Sequence, residues 1–154
     1  MNIDTSSFEE QIMSNNVEIY EIDPYVATYD NILSKKECEH FITLFKGKIN
    51  NANTYRISHS TDKLTNLVAE RIANIVGMPL TNAEDFQINY YDKGCETKPR
   101  YASWNNNGTE KTIKEISYGG PRLVTALCYL NDVEEGGEIK LTKLNTTIPT
   151  KEGR

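Results

Sequence analysis

Residues 86–141 contain two strand-like runs that flank a long polar loop, and the second run is followed by a Gly-Gly turn. The first run, residues 86–91, alternates apolar and polar side chains, which predicts a strand with one apolar face. The second, residues 123–130, is almost continuously apolar, which is typical of a central strand buried on both faces. Residues 131–137 are predicted to turn the chain, and residues 139–144 to return as a further strand. This order favours a sheet-centred fold.

Two helices are predicted before these runs. Ser34 and Glu37 have the spacing of a capping box, so a helix should begin there and end near Gly47. A second helix should begin near Asp62 and end at Gly77. Their apolar stripes are Cys38, Phe41, Ile42 and Phe45 in the first helix, and Leu64, Leu67, Val68, Ile72 and Ile75 in the second. Both helices also carry polar faces, which predicts that they pack on one side of a sheet in an α+β domain.

Shorter elements and connections complete the pattern. Residues 17–22 and 25–29 are predicted as two short strands, interrupted by Asp23-Pro24. Residues 50–60 are predicted as a polar connection. Residues 92–120 are predicted as a long loop, and loops of this length in compact domains are usually functional or mobile.

The length of 154 residues predicts one domain, which we place at residues 17–154 after a loose leader at residues 1–16. The leader could be helical around residues 8–13. A net charge of −5 without a basic block argues against a nucleic-acid partner. No apolar run approaches the length of a membrane span, and no secretory signal is recognisable, so we expect no membrane partner. Three widely spaced cysteines, interpreted as buried free thiols, favour a reducing, cytoplasmic location.

Three segments together carry a family resemblance. They are Asn31-Ile-Leu-Ser-Lys-Lys-Glu-Cys-Glu-His40, then Arg71-Ile-Ala through Gly77-Met-Pro, then Gly119-Gly-Pro-Arg through Glu134-Glu-Gly-Gly-Glu138. In this order and spacing they resemble the catalytic domain of the prolyl 4-hydroxylases, which belong to the iron(II)- and 2-oxoglutarate-dependent dioxygenases. The resemblance implies a double-stranded β-helix, or jelly-roll, core. It also implies an oxidoreductase that hydroxylates proline in a peptide or protein, with iron(II), 2-oxoglutarate and ascorbate as cofactors.

The positions that the resemblance assigns to the iron ligands carry other residues. Arg100 stands where the family has its first histidine, and Ala102 stands where it has its aspartate. Arginine stays protonated and only donates hydrogen bonds, and alanine has no ligand atom. The family's second histidine and its 2-oxoglutarate anchor are not found before Arg154, so we expect a domain truncated before its last core strands. We therefore expect no catalysis, and no bound cofactor, from the chain as given.

Other positions match the family's pocket. By resemblance the cofactor-binding positions are Tyr91, Leu127, Tyr129 and Ile139, and the substrate-binding positions are Arg122 and Thr97. The residues themselves allow a plainer interpretation: Tyr91 and Tyr129 could be ordinary strand aromatics, and Arg122 a surface charge.

Three hypotheses remain open. The first is a dioxygenase parent, of which this chain is an altered or truncated form. The second is a non-catalytic module that binds a peptide or an anion at the vacated barrel mouth, with Arg100 pairing to a carboxylate. The third is a rebuilt metal site made from Asp92, Glu96 or His59, which nothing in their spacing supports.

Overall fold

The structure is a computed structural model, and it describes residues 17–48, 53–103 and 108–154. The proposed leader at residues 1–16 lies outside the described residues. The chain divides into two compact units, one made of Met1–Asn51 with Cys128–Arg154 and the other of Ala52–Leu127. The described residues form three α-helices, a short 3-10 helix (Leu80–Asn82) and three antiparallel strand pairs. The α+β class is therefore confirmed, whereas the jelly-roll core and the packing of helices on one side of a sheet stay predictions.

The first unit begins with a β-hairpin. Strands β1 (Val17–Ile22) and β2 (Tyr25–Tyr29) pair antiparallel, with Val17 opposite Tyr29. The register shifts between Ile19 and Glu21, which marks a β-bulge. Both predicted strands are confirmed, and the Asp23-Pro24 pair forms the turn because proline cannot continue a ladder.

Helix α1 (Lys35–Lys46) follows, and its capping box is present as predicted. The Ser34 amide donates to Glu37 Oε2 at 2.8 Å, and the Glu37 amide donates to Ser34 Oγ at 3.3 Å. These two bonds satisfy backbone donors that the first helical turn leaves without partners. Cys38, Phe41 and Phe45 are buried and Ile42 is half-buried, so the predicted apolar stripe is confirmed.

The last strands of the first unit are shorter than predicted. Strand β5 (Ile139–Leu141) pairs antiparallel with β6 (Thr146–Ile148), so the strand predicted over residues 139–144 ends three residues early. A turn replaces its second half, because the Leu144 amide donates to the Leu141 carbonyl at 3.0 Å. Asn145 adopts a φ of 51°, a left-handed conformation that asparagine tolerates and that completes the reversal.

Backbone hydrogen bonds join Gly153 and Arg154 to two other segments of the first unit. The Gly153 carbonyl accepts from the Ile32 amide at 2.8 Å and from the Leu33 amide at 3.1 Å. On its other side, the Gly153 amide donates to Tyr129 O at 2.9 Å, and the Tyr129 amide donates to Arg154 O at 3.0 Å. A Cβ on Gly153 would clash with the Leu33 carbonyl oxygen. Only glycine therefore allows these three segments to approach so closely.

The second unit contains the second predicted helix, α2 (Lys63–Val76). Asp62 caps it by accepting from the Thr65 amide at 2.8 Å, and Gly77 ends it with a φ of 72°. Its buried face consists of Thr65, Val68 and Ala69. Leu67 is 43% exposed, so its place in the predicted stripe is wrong.

Two elements of the second unit were missed. Strand β3 (Thr54–Ile57) lies inside the predicted polar connection and pairs antiparallel with β4 (Phe86–Asn89). Helix α3 (Glu110–Gly119) lies inside the predicted loop at residues 92–120, with Thr109 as its N-cap. None of the described helices has the length and apolar character needed to cross a bilayer.

The prediction of a buried central strand at residues 123–130 is wrong. No regular strand forms there, and Leu123, Val124 and Leu127 are 73%, 53% and 50% exposed. The physical reason is that no neighbouring strand of the described chain forms a row of backbone hydrogen bonds with these residues. Among the described residues, the only backbone hydrogen bonds of this run are the two that Tyr129 makes to Gly153 and Arg154.

Candidate functional site

The loop after β4 carries most of the predicted site residues of the second unit. Tyr91 is 51% exposed, and Thr97, Arg100 and Ala102 are exposed as well. The segment from residue 90 to residue 103 contains no helix or strand, so its side chains are placed by loop conformation and by tertiary contacts. Arg100 makes no hydrogen bond or ion pair with the described residues of this unit. Its guanidinium is therefore accessible to a ligand from solution.

Arg122 fixes this loop to the rest of the second unit. Its guanidinium donates two hydrogen bonds to the Glu84 carboxylate, one from Nε to Oε1 and one from Nη2 to Oε2 at 2.6 Å. Its Nη1 donates to the Ala102 carbonyl at 3.3 Å. Two-bonded arginine–carboxylate pairs are the most geometrically specific of the ion pairs. Arg56 Nη1 also lies 3.9 Å from Glu84 Oε2.

The predicted substrate-binding role of Arg122 is untested by this geometry. Three of its nitrogens already contact Glu84 or Ala102, so a substrate would have to share or displace them. Arg122 thus contacts the loop that carries Arg100, because it donates a hydrogen bond to the Ala102 carbonyl in that loop. Sequence analysis missed Glu84, because its only local signal is an acidic residue in the polar stretch before β4.

The remaining predicted cofactor-binding positions fall in different units. Leu127 belongs to the second unit and is half-exposed, whereas Tyr129 and Ile139 belong to the first. The Tyr129 hydroxyl is buried and makes no hydrogen bond of standard geometry with the described residues. Burial raises the pKa of Tyr129, and the nearby backbone of Ile139 opposes that rise.

A charge cluster in the first unit was missed altogether. Asp30 is 6% exposed and accepts from Lys151 Nζ at 2.6 Å and from Arg154 Nε at 2.7 Å. Arg154 also donates from Nη1 to the Pro149 carbonyl at 3.1 Å. The hydrogen bond from Arg154 is the main cause that lowers the pKa of Asp30, and Lys151 adds to it against the opposing effect of burial. The partners are 121 and 124 residues apart, so no local pattern could reveal them.

The three thiols have different environments. Cys38 is buried, and its Sγ lies 3.9 Å from the Tyr129 carbonyl. Burial, with a smaller contribution from Cys38, raises the pKa of Cys128 to about 12. Both are therefore protonated and unreactive at neutral pH. Cys95 is exposed, so the interpretation of all three as buried thiols is wrong for that residue.

The residues present do not fit an iron centre. The described residues contain no group of three His, Cys, Asp or Glu side chains that could hold a metal ion. That includes the combination of Asp92, Glu96 and His59 considered from the sequence. His59 instead packs edge-on against Phe86, with ring centroids 5.0 Å apart. Arg100 and Ala102 offer no ligand atom at the two positions that the resemblance assigns to ligands.

Comparison with known proteins found relatives that are similar over most of this chain. No family model matches the chain. The curated relatives include "Probable prolyl 4-hydroxylase 3" of Arabidopsis thaliana, which is 29% identical over 139 residues, covering 79% of this chain and 46% of that protein. "Prolyl 4-hydroxylase 5" of the same plant is 29% identical over 154 residues, covering 88% of this chain and 51% of that protein. The chain is similar to these prolyl 4-hydroxylases over most of its own length, and this similarity supports a prolyl 4-hydroxylase family assignment.

A more distant animal protein supports the same assignment. "Prolyl 4-hydroxylase subunit alpha-2" of Gallus gallus is 27% identical over 148 residues, covering 84% of this chain and 27% of that protein. The chain spans about half the length of the plant relatives it matches. The family resemblance inferred from the three sequence segments is therefore confirmed.

Proposed function

We propose that this chain carries part of a dioxygenase domain of the prolyl 4-hydroxylase type, with a jelly-roll core, whose own residues do not form the iron site. Its relatives are named as prolyl 4-hydroxylases, which supports oxidoreductase chemistry on proline-containing peptides or proteins for the family. That chemistry depends on iron(II), 2-oxoglutarate and ascorbate. The observation that carries the proposal is the pair Arg100 and Ala102 at the family's ligand positions.

The physical argument rests on charge and on donor atoms. A 2-His-1-carboxylate centre needs neutral imidazoles and a carboxylate. An exposed guanidinium at one of these positions puts a fixed positive charge beside the place of a divalent cation, and the Ala102 methyl group cannot coordinate it. Both substitutions act in the same direction, so the chain should bind no stoichiometric iron(II).

Calorimetric titration with Fe(II) under anaerobic conditions, or with Mn(II), tests this proposal. We expect no equimolar binding and no decarboxylation of 2-oxoglutarate. The double variant R100H/A102D is the matched control, because it restores two ligands at the same positions. We expect it to remain inactive without a second histidine supplied by further sequence. Tight equimolar metal binding by the unmodified chain, or turnover by the double variant, would overturn the proposal.

A second candidate function is supported by the state of Arg100. Within the second unit Arg122 and Arg56 are both directed at Glu84, whereas Arg100 has no partner among the described residues. We therefore propose, as the alternative, a module that binds a carboxylate-bearing ligand or peptide at Arg100 without catalysis. Guanidinium groups bind carboxylates through two parallel bonds, which gives both affinity and orientation.

The probe for this alternative is 2-oxoglutarate itself, titrated without metal and followed by NMR. We expect weak, saturable binding that R100Q abolishes. The variant K98Q removes an exposed positive charge two positions away and should retain most of the binding, since a single ammonium lacks the guanidinium fork. Equal losses in R100Q and K98Q would indicate nonspecific charge attraction, and the anion-binding role would then be rejected.

A further inference from the structure

Arg122 joins the loop that carries Arg100 to the rest of the second unit. It donates from Nε and Nη2 to the two carboxylate oxygens of Glu84, and from Nη1 to the Ala102 carbonyl at 3.3 Å. These bonds span 38 positions of the chain to Glu84 and 20 positions to Ala102. Arg100 lies two residues before the bonded carbonyl. We call the linked residues Glu84, Arg122 and Ala102 the bridge.

The Glu84 end of the bridge lies beside regular structure. Glu84 comes two residues before β4, which pairs with β3 from Phe86 to Asn89. Arg56 of β3 approaches the same carboxylate, with Nη1 3.9 Å from Glu84 Oε2. Ile57, the next residue of β3, is 3% exposed, so this strand is fixed by burial. Glu84 can therefore serve as the anchor for the Arg122 side chain.

The loop depends on such contacts because it has no regular structure of its own. Residues 90–103 contain no helix or strand. At its start, the Tyr90 amide donates to the Asn53 carbonyl at 2.8 Å, directly before β3. Near its end, the Ala102 carbonyl accepts from Arg122. Arg100 therefore lies between two points of attachment, and close to the second.

The ion pair of the bridge contributes more to position than to stability. The side chains of Arg122 and Glu84 are 32% and 42% exposed, so water screens the attraction between them. Their two parallel bonds nevertheless hold the guanidinium plane in one orientation, and this orientation directs Nη1 at the Ala102 carbonyl. A lysine at position 122 would keep the charge but lose the planar fork that contacts both groups at once.

Anion binding at Arg100 should depend on how firmly its loop is held. A binding group that is ordered in advance loses less conformational entropy when the ligand binds. We propose that Arg122 is a positioning residue for Arg100: by linking Glu84 to the Ala102 carbonyl, it holds the loop in the conformation that presents Arg100 to a carboxylate. This inference rests on the anion-binding function proposed for Arg100. Arg122 acts without contacting the ligand, since its nitrogens are directed at Glu84 and Ala102.

Limited digestion with trypsin measures whether Arg122 holds the loop, because trypsin can cleave the Arg100–Tyr101 bond within it. The variant R122K should raise the rate of this cleavage roughly threefold to tenfold, since the loop loses a hydrogen bond that opposes local opening. The matched control is R56K, the same change at the other arginine beside Glu84, and it should leave the rate unchanged. Equal cleavage rates in R122K and R56K would overturn the proposal.

NMR titration with 2-oxoglutarate, without metal, measures the consequence for binding. R122K keeps the net charge, and we expect it to weaken binding roughly threefold to tenfold, whereas R56K should not. Weaker binding by R122K without faster cleavage would mean that Arg122 contacts the ligand itself, and the positioning role would be wrong. Equal binding by wild type and R122K would reject the positioning role alone. A wild type that binds no 2-oxoglutarate would reject the anion-binding function of Arg100 and this inference with it.

Discussion

Replacing Asp30 by asparagine should destabilise the first unit strongly. Asp30 is buried, and the change leaves Arg154, whose side chain is 12% exposed, without its counter-charge. Removing one member of a buried ion pair typically costs about 3–5 kcal/mol. Lys151 is 46% exposed and contributes little, since water screens it. The asparagine oxygen can still accept one hydrogen bond, so we expect a loss of about 2–4 kcal/mol in the free energy of unfolding.

The same interaction predicts how that loss depends on pH. The pKa of Asp30 is lowered from its ordinary value of 3.8, chiefly by the hydrogen bond from Arg154. A group whose folded-state pKa is depressed stabilises the protein above its unfolded-state pKa, and loses this effect as pH falls through the folded-state value. The difference between wild type and D30N should therefore be constant above about pH 5 and shrink below about pH 4.

Urea denaturation of the full chain, repeated from neutral to acidic pH, measures both effects. The matched control is E135Q, which neutralises an exposed carboxylate in the same unit and should change the free energy of unfolding by less than about 0.5 kcal/mol. The reasoning is refuted if D30N unfolds like E135Q at neutral pH. It is also refuted if the D30N deficit persists undiminished at about pH 3, because Asp30 in the unfolded chain is then protonated and the wild type loses part of its advantage.

Two further substitutions test backbone features of the same unit. Gly153→Ala should lower the free energy of unfolding by at least about 2 kcal/mol, because the new Cβ meets the Leu33 carbonyl and φ is 78°; thermal denaturation measures it, and an unchanged midpoint would contradict the close approach. Ser34→Ala should cost about 1 kcal/mol by removing the cap of α1. Circular dichroism melting checks this, and a cost below about 0.3 kcal/mol would mean that Glu37 alone suffices.

Local signals in the sequence predicted the elements whose causes are local. The Ser34–Glu37 capping box and the Asp62 cap each mark the start of a helix by contacts between residues three positions apart. Gly77 ends α2 because glycine readily adopts the left-handed conformation. Helix α3 was missed because Thr109 is followed three residues later by threonine rather than by an acidic partner, so no capping box was visible. Such a cap is recognisable only once the helix is known.

Non-local contacts could not be predicted in the same way. The Asp30 cluster joins residues more than 120 positions apart, and the Arg122–Glu84 pair spans 38. A charged residue in a sequence looks the same whether it faces water or a distant partner. For the candidate site, the sequence identified Arg100 and Ala102 as unsuited to a metal, but it could not show that Arg122 would be bonded to Glu84 and Ala102.

The apolar run at residues 123–130 shows why composition alone does not determine burial. Its sequence is similar throughout, yet Cys128, Tyr129 and Leu130 are half-buried whereas residues 123–127 are exposed. The difference coincides with backbone pairing, since Gly153 and Arg154 lie beside Tyr129 and no described segment bonds to the five residues before it. An apolar strand is buried only when its amides and carbonyls also have partners. A second strand beside residues 123–127 should therefore complete their burial.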